Sequence, residues 1–463
     1  MKSSAIKVRL QKGGFSKALL IGQTIIIMCL VFTFIKNDSS LFQEDPSQQS
    51  LISADIDTSV RVIKETDGAL QNLTTKTQLM WQEDISLTKQ KESSSGNTNR
   101  SPEFQEKDTI MKERLSLIRQ RCSHYMQDEY WQNIRQSGTV LTYEKEDIHY
   151  CIVPKVGCTF WKRIFRFLGK DYRTDQNVQK PSDINRNYVH YGPMKNIQQW
   201  KVQNPIARML MTKGKSFMFV RDPFTRLWSA YIDKFLLPDF WRSDALLVVK
   251  KLRPNATDYE RYCANNVTFQ EFLTFIKLTY KNGLNEHWQR LHKVCSPCHV
   301  QYDVIGKQES FGLDADYILT KFNLQSLKEN TTKLDMVHEE VTTLTKYNFD
   351  LENAIRQGCF KKIDVAKRLW LAFQYNGYID RRTAFPRNDL LKTAFLNSTT
   401  EIFTDFVLST IENQKKLGIN IKKQKRTMML DAYRKIPKDL LNDIISVYEY
   451  DFKLFGYNRT LFD

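Results

Sequence analysis

Two short segments carry residue types that bind phosphate-like anions. The first is Cys151-Ile-Val-Pro-Lys-Val-Gly-Cys-Thr-Phe-Trp-Lys-Arg163, and the second is Phe217-Met-Phe-Val-Arg-Asp-Pro-Phe-Thr-Arg-Leu-Trp-Ser-Ala-Tyr231. Each predicts an apolar strand, a tight loop that carries a cation, and a helix. Backbone N–H groups at the start of a helix favour anionic charge, as does a nearby Lys or Arg. The two segments therefore predict a site for an anionic nucleotide in an α/β protein.

The first loop runs from Pro154 to Thr159 and resembles a phosphate loop in its position between a strand and a helix. It lacks the leading Gly and the Gly-Lys-Ser/Thr ending of a Walker A loop, which argues against hydrolysis of a nucleoside triphosphate. Gly157 permits close approach of the backbone to a ligand, and Thr159 can donate a hydroxyl proton. Lys155 places a positive charge where a leaving phosphate gains negative charge.

The second segment combines Arg221 at the end of a strand with Ser229 on the following helix. A guanidinium that can form two parallel hydrogen bonds, together with a hydroxyl, suits a terminal phosphate monoester. In the alternative interpretation, Arg221 and Asp222 form a structural ion pair and Ser229 is a small packing residue. The two segments together predict a ligand with a phosphate at each end.

Strand-like and helical patterns alternate around these loops. Strands are predicted at 148–153, 216–220 and 302–306, and helices at 159–168, after Asp222 and over 437–455. Asp222 is expected to cap its helix, because Pro223 suits the first helical position. This alternation predicts an α/β domain with a mostly parallel sheet flanked by helices.

The same residues carry a family resemblance. Pro154-Lys-Val-Gly-Cys-Thr and Arg221-Asp-Pro-Phe-x-Arg-Leu-x-Ser229 resemble the 5′-phosphosulfate and 3′-phosphate motifs of Golgi carbohydrate sulfotransferases, in particular the group that contains the chondroitin and dermatan 4-O-sulfotransferases. The similarity extends over roughly residues 115–460. Further segments that resemble this group are His287-Trp288, Cys295-Ser-Pro-Cys298, 302–309 and 448–457.

The resemblance implies a P-loop-NTPase-like sulfotransferase fold and the donor 3′-phosphoadenosine 5′-phosphosulfate (PAPS), with no metal required. The sulfuryl group would pass to a glycan hydroxyl, first of all the 4-O position of N-acetylgalactosamine in chondroitin or dermatan. Terminal N-acetylgalactosamine or glucuronate of glycoprotein glycans is the alternative acceptor. The donor-binding residues that the resemblance implies are Lys155, Val156, Gly157, Cys158, Thr159, Phe160, Arg221 and Ser229.

Transfer to an alcohol also needs a base that takes the hydroxyl proton, while Lys155 neutralises the leaving oxygen. His190, in Tyr188-Val-His-Tyr191, is the first candidate because the resemblance implies that the base is a His from this interval, as related glycan sulfotransferases look to use one there. His287 is the second candidate. Either histidine could instead be a hydrogen-bonded structural residue.

The cysteines predict disulfides in an oxidising compartment. Of eight cysteines, Cys29 lies in an apolar N-terminal run and Cys158 is expected to stay free, which leaves six to pair in an order that the sequence does not reveal. A zinc site is the less favoured alternative because only one Cys-x-x-Cys is present. Its candidate ligands are His287, His292, Cys295, Cys298 and His299.

The apolar run 18–35 predicts a membrane anchor. Five basic residues precede it and only Lys36 follows before acidic residues, which places the N-terminus in the cytosol. Eighteen residues at about 1.5 Å each span roughly 27 Å, which is enough for a thin bilayer. A cleaved signal peptide is the alternative, but the run is long for one and no small-x-small site follows.

This topology predicts a single-pass type II protein of the Golgi membrane. Its parts would be a cytoplasmic tail 1–17, a signal anchor 18–35, a flexible lumenal stem 36–114 that is rich in polar residues, and a catalytic domain 115–463. Lumenal sequons agree with this orientation. They are Asn72, Asn255, Asn266, Asn330, Asn397 and Asn458.

The charge balance favours a polyanionic partner, since 69 Lys and Arg residues oppose 52 Asp and Glu residues and give a formal charge of +17. The basic tract 415–426 is either a solvated surface or a contact for a polyanionic acceptor. A glycan-binding membrane protein without catalysis and a nucleic-acid binder are the competing classes, and the anchor and sequons argue against nucleic acid. Trp228, Trp241 and Trp288 suit core packing better than sugar stacking.

Overall fold

A computed structural model of the chain describes residues 101–173, 177–329, 332–386 and 399–462. The predicted tail, the predicted anchor and all but the last part of the predicted stem lie outside these residues. Within the described ranges, no helix combines the length and apolarity needed to cross a bilayer.

The described strands are β1 Thr139–Tyr143, β2 Ile148–Ile152, β3 Gln198–Lys201, β4 Lys215–Val220 and β5 Val304–Lys307. A π-helical turn, Ile232–Leu236, directly continues the helix Pro223–Tyr231. The described helices are α1 Pro102–Tyr125, α2 Glu129–Gln132, α3 Cys158–Gly169, α4 Arg186–Tyr191, α5 Pro205–Lys213, α6 Pro223–Tyr231, α7 Asp244–Leu252, α8 Asp258–Cys263, α9 Phe269–Thr279, α10 Leu291–Val294, α11 Phe311–Lys321, α12 Lys333–Asp350, α13 Lys362–Tyr375, α14 Thr399–Lys416, α15 Gln424–Arg434, α16 Lys438–Val447 and α17 Glu449–Phe455.

Helix α1 begins before the predicted domain boundary at residue 115. Ser101 caps it by accepting a hydrogen bond from the Phe104 amide, and a proline occupies the first turn. Phe104 and Met111 are buried in the same hydrophobic cluster as the sheet. These residues ahead of the boundary therefore belong to the folded core.

The sheet has the strand order β3-β1-β2-β4-β5. Strands β2, β4 and β5 are parallel, whereas β1 is antiparallel to both β2 and β3. The prediction of a mostly parallel sheet was therefore wrong for half of the pairings. Only a short turn separates β1 from β2, and such a turn can join antiparallel neighbours but not parallel ones.

The parallel half of the sheet positions the two anion-binding loops. Cys151 of β2 lies opposite Met218 of β4, and these two strands run in the same direction. Their carboxyl ends therefore meet at one edge, which is where α/β proteins bind ligands. The loops that begin at Pro154 and Arg221 leave the sheet at this edge.

Two of the three predicted helices differ from the structure, and the third agrees. Helix α3 includes Gly169, which was predicted as its stop. The next residue, Lys170, caps the helix in the left-handed region at φ 52°. The predicted single helix 437–455 was wrong, because α16 ends and α17 starts around Tyr448. At this break the buried Tyr448 hydroxyl donates to the carbonyl of Trp288.

The predicted cap of α6 is confirmed, since the Asp222 carboxylate accepts from the Thr225 amide at 2.8 Å.

Two hydrophobic clusters form the core of the described residues. One packs α1, α3 and α11 against the strands, and the other joins α6 to the helices that follow it, including α9, α13 and α15. Trp228, Trp241 and Trp288 are at most 4% exposed in the second cluster, so the prediction of core packing is confirmed.

Three disulfides join the six cysteines that were predicted to pair, and Cys158 is free as expected. Because Cys295 and Cys298 are both oxidised, neither can act as a thiolate ligand of zinc. The described residues contain no cluster of three or more His, Cys, Asp or Glu suited to a metal ion. The pairs are Cys122–Cys298, Cys151–Cys295 and Cys263–Cys359.

The predicted glycosylation sites and the basic tract lie at the surface where the structure describes them. Asn255, Asn266 and Asn458 are exposed, whereas Asn72, Asn330 and Asn397 lie outside the described residues. The basic tract 415–426 includes the end of α14 and the start of α15, and its lysines are exposed. Glycosylation at the sequons and acceptor binding at the tract stay predictions.

Candidate active site

The loop between β2 and α3 contains two residues in the left-handed region, Lys155 at φ 71° and Gly157 at φ 82°. A Cβ atom on Gly157 would lie 2.2 Å from Cε2 of Phe311, so only glycine fits at this position. The backbone then turns directly into the N-terminus of α3. Because the first N–H groups of a helix lack partners within it, this end of α3 attracts an anion.

Lys155 is held in place by a carboxylate that the sequence patterns did not indicate. Its Nζ lies 2.8 Å from Oδ2 of Asp233, which belongs to the π-helical turn after α6. Lys234 also contacts Asp233, at 3.4 Å, and pairs with Asp239. Burial would raise the pKa of Asp233, but the ammonium groups of Lys155 and Lys234 hold it well below its usual value. Burial, together with the charge of Lys234, lowers the pKa of Lys155.

Arg221 connects the second loop to the first. Its Nη1 donates to the backbone carbonyl of Lys155 at 2.9 Å, and its Nε donates to the Thr225 hydroxyl at 3.1 Å. The Asp222 carboxylate instead caps α6, and the Asp222 amide donates to Glu309 at 3.0 Å. Arg221 and Asp222 thus have different partners, in contrast to the alternative in which they pair with each other.

The remaining predicted donor residues have different surroundings. Ser229 lies in the last turn of α6, and its hydroxyl makes no hydrogen bond to another described residue, including Arg221. Val156 is fully buried in the sheet cluster. Phe160 is half-buried and packs edge-on against Phe311, with ring centroids 5.5 Å apart. The structure thus links Arg221 to the backbone of Lys155 by a hydrogen bond, and the Ser229 hydroxyl makes no hydrogen bond to either residue.

His190 contacts Thr159, at the start of α3. Its Nε2 lies 3.1 Å from the Thr159 hydroxyl, and its Nδ1 lies 3.5 Å from Nζ of Lys162. Burial, together with the charges of Lys162 and Arg186, lowers the pKa of His190 to about 3. The ring is therefore neutral at neutral pH, and both of its nitrogens already face protein groups.

His287 lies in the segment before α10, and its Nδ1 is 2.8 Å from Oδ1 of Asn285. Burial, together with the charge of Lys234, lowers the pKa of His287 to about 2. The imidazole packs edge-on against the ring of Phe240, with 5.3 Å between centroids. The Nζ atom of Lys234 lies 4.9 Å from the centroid of the same Phe240 ring. Both candidate bases are therefore neutral at neutral pH, and both are close enough to Asp233 and Lys234 to feel their charges.

Arg226 is a second residue that the sequence analysis missed. Its buried guanidinium donates to the carbonyl of Pro154 at 3.2 Å and to the carbonyls of Glu286 and Gln289 at 2.9 and 2.5 Å. Arg226 thus holds the segment that carries His287 against the loop that begins at Pro154. The second motif contains this arginine, but its spacing alone does not reveal these partners.

Two strand–loop–helix units from adjacent parallel strands place a cation each at the same sheet edge, which is an arrangement suited to an anionic ligand in an α/β domain. The model of the family described as "Sulfotransferase family" matches residues 139–376, which include both loops and all five described strands. The chain belongs to this family.

Its relatives include several carbohydrate sulfotransferases. The chain is 30% identical to Carbohydrate sulfotransferase 11 of Rattus norvegicus over 243 residues, which is 50% of this chain and 66% of the relative. It is 30% identical to Carbohydrate sulfotransferase 9 of Homo sapiens over 265 residues, or 56% and 57% of the two chains. For Carbohydrate sulfotransferase 8 of Mus musculus the identity is 31% over 213 residues, or 45% and 49%. The match thus spans between about half and two thirds of each relative. No solved structure matches the chain at a significant level.

Proposed function

We propose that this chain is a carbohydrate sulfotransferase that transfers the sulfuryl group of PAPS to a glycan hydroxyl. Family membership and the carbohydrate sulfotransferases among its relatives support this function. The structural observation that carries it is the hydrogen bond from Arg221 to the carbonyl of Lys155, because it joins the two anion-binding loops at one place. A donor with phosphates at both ends of one adenosine needs two such loops side by side.

The residues of the first loop fit the phosphosulfate end of this donor. Gly157 leaves room for the backbone, and α3 presents its positive end. If Nδ1 of His190 accepts from Lys162, then its Nε2–H donates to Thr159, and the Thr159 hydroxyl is free to donate its own proton to an anion. Arg221 would bind the 3′-phosphate, with Ser229 as the proposed second group at that end.

In the proposed reaction, the oxygen of an acceptor hydroxyl attacks sulfur in line with the bond to the 5′-phosphate. The new O–S bond forms as that S–O bond breaks, and its electron pair stays on the phosphate oxygen of 3′-phosphoadenosine 5′-phosphate. Lys155 stabilises this developing charge without a metal. The hydroxyl proton passes to a histidine, for which His190 and His287 are the candidates.

The proposed acceptor is the 4-O position of N-acetylgalactosamine in chondroitin or dermatan, and terminal N-acetylgalactosamine or glucuronate of glycoprotein glycans is the alternative. The net charge of +17 supports a polyanionic acceptor. We further propose the Golgi membrane as the location, with the catalytic domain in the lumen. The three disulfides support an oxidising compartment.

The test is transfer of radiolabelled sulfate from PAPS to desulfated chondroitin by the full chain and by Lys155→Ala. The wild type should label the glycan, and the variant should lose at least about a hundredfold in rate, because the leaving oxygen loses its cation. Lys213→Ala, which removes an exposed lysine at the end of α5, is the matched control and should keep full activity. Equal labelling by wild type and Lys155→Ala would contradict the mechanism. Disaccharide analysis of the product would identify the position that is sulfated.

A further inference from the structure

The two candidate bases differ in which ring nitrogen carries the proton. For His190, Lys162 approaches Nδ1 at 3.5 Å, and an ammonium group can only donate. Nδ1 of His190 therefore accepts, and the proton of the neutral ring lies on Nε2, where it faces Thr159 at 3.1 Å. In this tautomer His190 has no lone pair left for an acceptor hydroxyl.

The opposite tautomer follows for His287 from the orientation of the Asn285 amide. The backbone N–H of His287 can only donate, and it lies 3.1 Å from Oδ1 of Asn285. On the other side, Nδ2 of Asn285 faces the carboxylate oxygens of Asp244 at 3.3 and 3.4 Å, and these only accept. The amide oxygen thus points at His287, so Nδ1 at 2.8 Å must carry the proton. Nε2 is left with its lone pair and with no hydrogen-bond partner among the described residues.

The segment that carries His287 is held against the loop between β2 and α3. Arg226 binds the carbonyls of Glu286 and Gln289, on either side of His287, and also binds the carbonyl of Pro154, which directly precedes Lys155. The charged groups that act on the imidazole are Lys155, Arg226, Asp233 and Lys234, with Asp244 beyond Asn285. His287 therefore borders the cation that is proposed to stabilise the leaving group.

We propose that Nε2 of His287 is the general base of the sulfuryl transfer, and that Asn285 and Asp244 are positioning residues that fix its tautomer. This inference rests on the proposed function. The acceptor hydroxyl gives its proton to Nε2 as its oxygen bonds to sulfur, and the resulting imidazolium later releases the proton to water. The arrangement follows the logic by which a third group orients a catalytic histidine.

The low pKa of His287 keeps Nε2 unprotonated at neutral pH but also makes it a weak base. Burial and the charge of Lys234 are the main causes. A bound donor would bring negative charge beside Lys155 and Lys234, which opposes their effect and raises the pKa of the imidazole. Base strength would thus increase when the donor is present.

The first experiment compares His287→Ala and His190→Ala in the labelling assay, with saturating PAPS. His287→Ala should lower kcat by about 10²- to 10⁴-fold, with the KM for PAPS changed less than about threefold, since the base acts on the acceptor. His190→Ala should keep a kcat within about tenfold of wild type and raise the KM for PAPS, because it supports Thr159. Asn282→Ala, at an exposed site of the same segment, is the control and should be unaffected.

The second experiment exchanges the two positioning groups. The pair Asn285→Asp with Asp244→Asn keeps the net charge but puts the carboxylate directly on Nδ1–H of His287. Imidazolium is then stabilised, so the acidic limb of kcat against pH should move to higher pH by about one unit or more. A histidine with a merely structural role would leave this limb in place.

Each outcome separates this inference from the function on which it rests. If the wild type transfers no sulfate to any glycan, the proposed function fails. If the wild type is active and His287→Ala keeps its kcat, or the exchanged pair leaves the acidic limb unmoved, only the assignment of the base is overturned. Binding of 3′-phosphoadenosine 5′-phosphate by each variant, measured by calorimetry, shows that the variant is folded.

Discussion

The guanidinium of Arg221 donates to the backbone carbonyl of Lys155, with 2.9 Å between Nη1 and the oxygen. The two residues follow neighbouring parallel strands, β4 and β2, and so leave the sheet at one edge. Each contributes a cation next to the start of a helix. One ligand with two separated anionic groups can therefore contact both loops.

Loss of the Arg221 guanidinium should affect only ligands with a 3′-phosphate. Arg221→Ala should weaken binding of 3′-phosphoadenosine 5′-phosphate about 10- to 100-fold, because charge-assisted hydrogen bonds contribute about 1.5 to 3 kcal/mol. Binding of adenosine 5′-monophosphate should change by less than about threefold. Calorimetry with both nucleotides measures the difference, and Arg119→Ala, on the exposed side of α1, serves as the control. An equal loss for both nucleotides would contradict the assignment of Arg221 to the 3′ end.

Gly157 should tolerate no side chain. Its φ of 82° strains an L-residue, and an added Cβ would lie 2.2 Å from Phe311, so Gly157→Ala should lower the free energy of unfolding by about 1 to 3 kcal/mol. It should also weaken donor binding. Gly312→Ala is the matched control, because nothing lies within 4 Å of the Cβ it would add. Urea unfolding of both variants gives the comparison, and similar stability of the two would contradict this account of the loop.

Asp233 should stabilise the fold only at pH values at which its carboxyl group is ionised. Asp233→Asn leaves Lys155 and Lys234 without their shared carboxylate and should lower the free energy of unfolding by about 3 kcal/mol at neutral pH. Because the pKa of Asp233 is held below its ordinary value of 3.8, this stabilisation is complete above that pH and is lost as the pH falls below it. The difference between wild type and variant should therefore shrink below about pH 4. Asp316→Asn, which removes a surface pair with Lys328, should show neither effect.

The cysteine pattern predicts one alkylation site in the folded, non-reduced domain. Cys158 should react with iodoacetamide, whereas the six disulfide-bonded cysteines should react only after reduction. Peptide mapping by mass spectrometry without reduction should recover Cys151 linked to Cys295, and Cys263 linked to Cys359. A peptide in which Cys158 is cross-linked within the chain would contradict the structure.

Local patterns were enough to predict the strand, loop and helix that contain Gly157. Gly157, the strand before it and the amphipathic helix after it are neighbours in the chain, so their spacing carries the information. The cap of α6 was predictable for the same reason, since Asp222 and Pro223 act within one turn. The free Cys158 follows from its place in the loop.

Long-range partners were not predictable. Lys155 and Asp233 are 78 positions apart, and Arg226 and Pro154 are 72 apart, so no periodicity links them. The antiparallel half of the sheet was missed because neither β1 nor β3 was predicted as a strand, so only the parallel strands β2, β4 and β5 entered the prediction. The roles of His190 and His287 depend on which neighbour donates to each ring nitrogen, and this is a property of the assembled site.

The most direct test of the central claim is a crystal structure of the domain with 3′-phosphoadenosine 5′-phosphate. The account predicts that the 5′-phosphate contacts the start of α3 and Nζ of Lys155, while the 3′-phosphate of the same molecule contacts Arg221. A nucleotide that engages only one of these two cations, with the other facing a separate pocket, would contradict it.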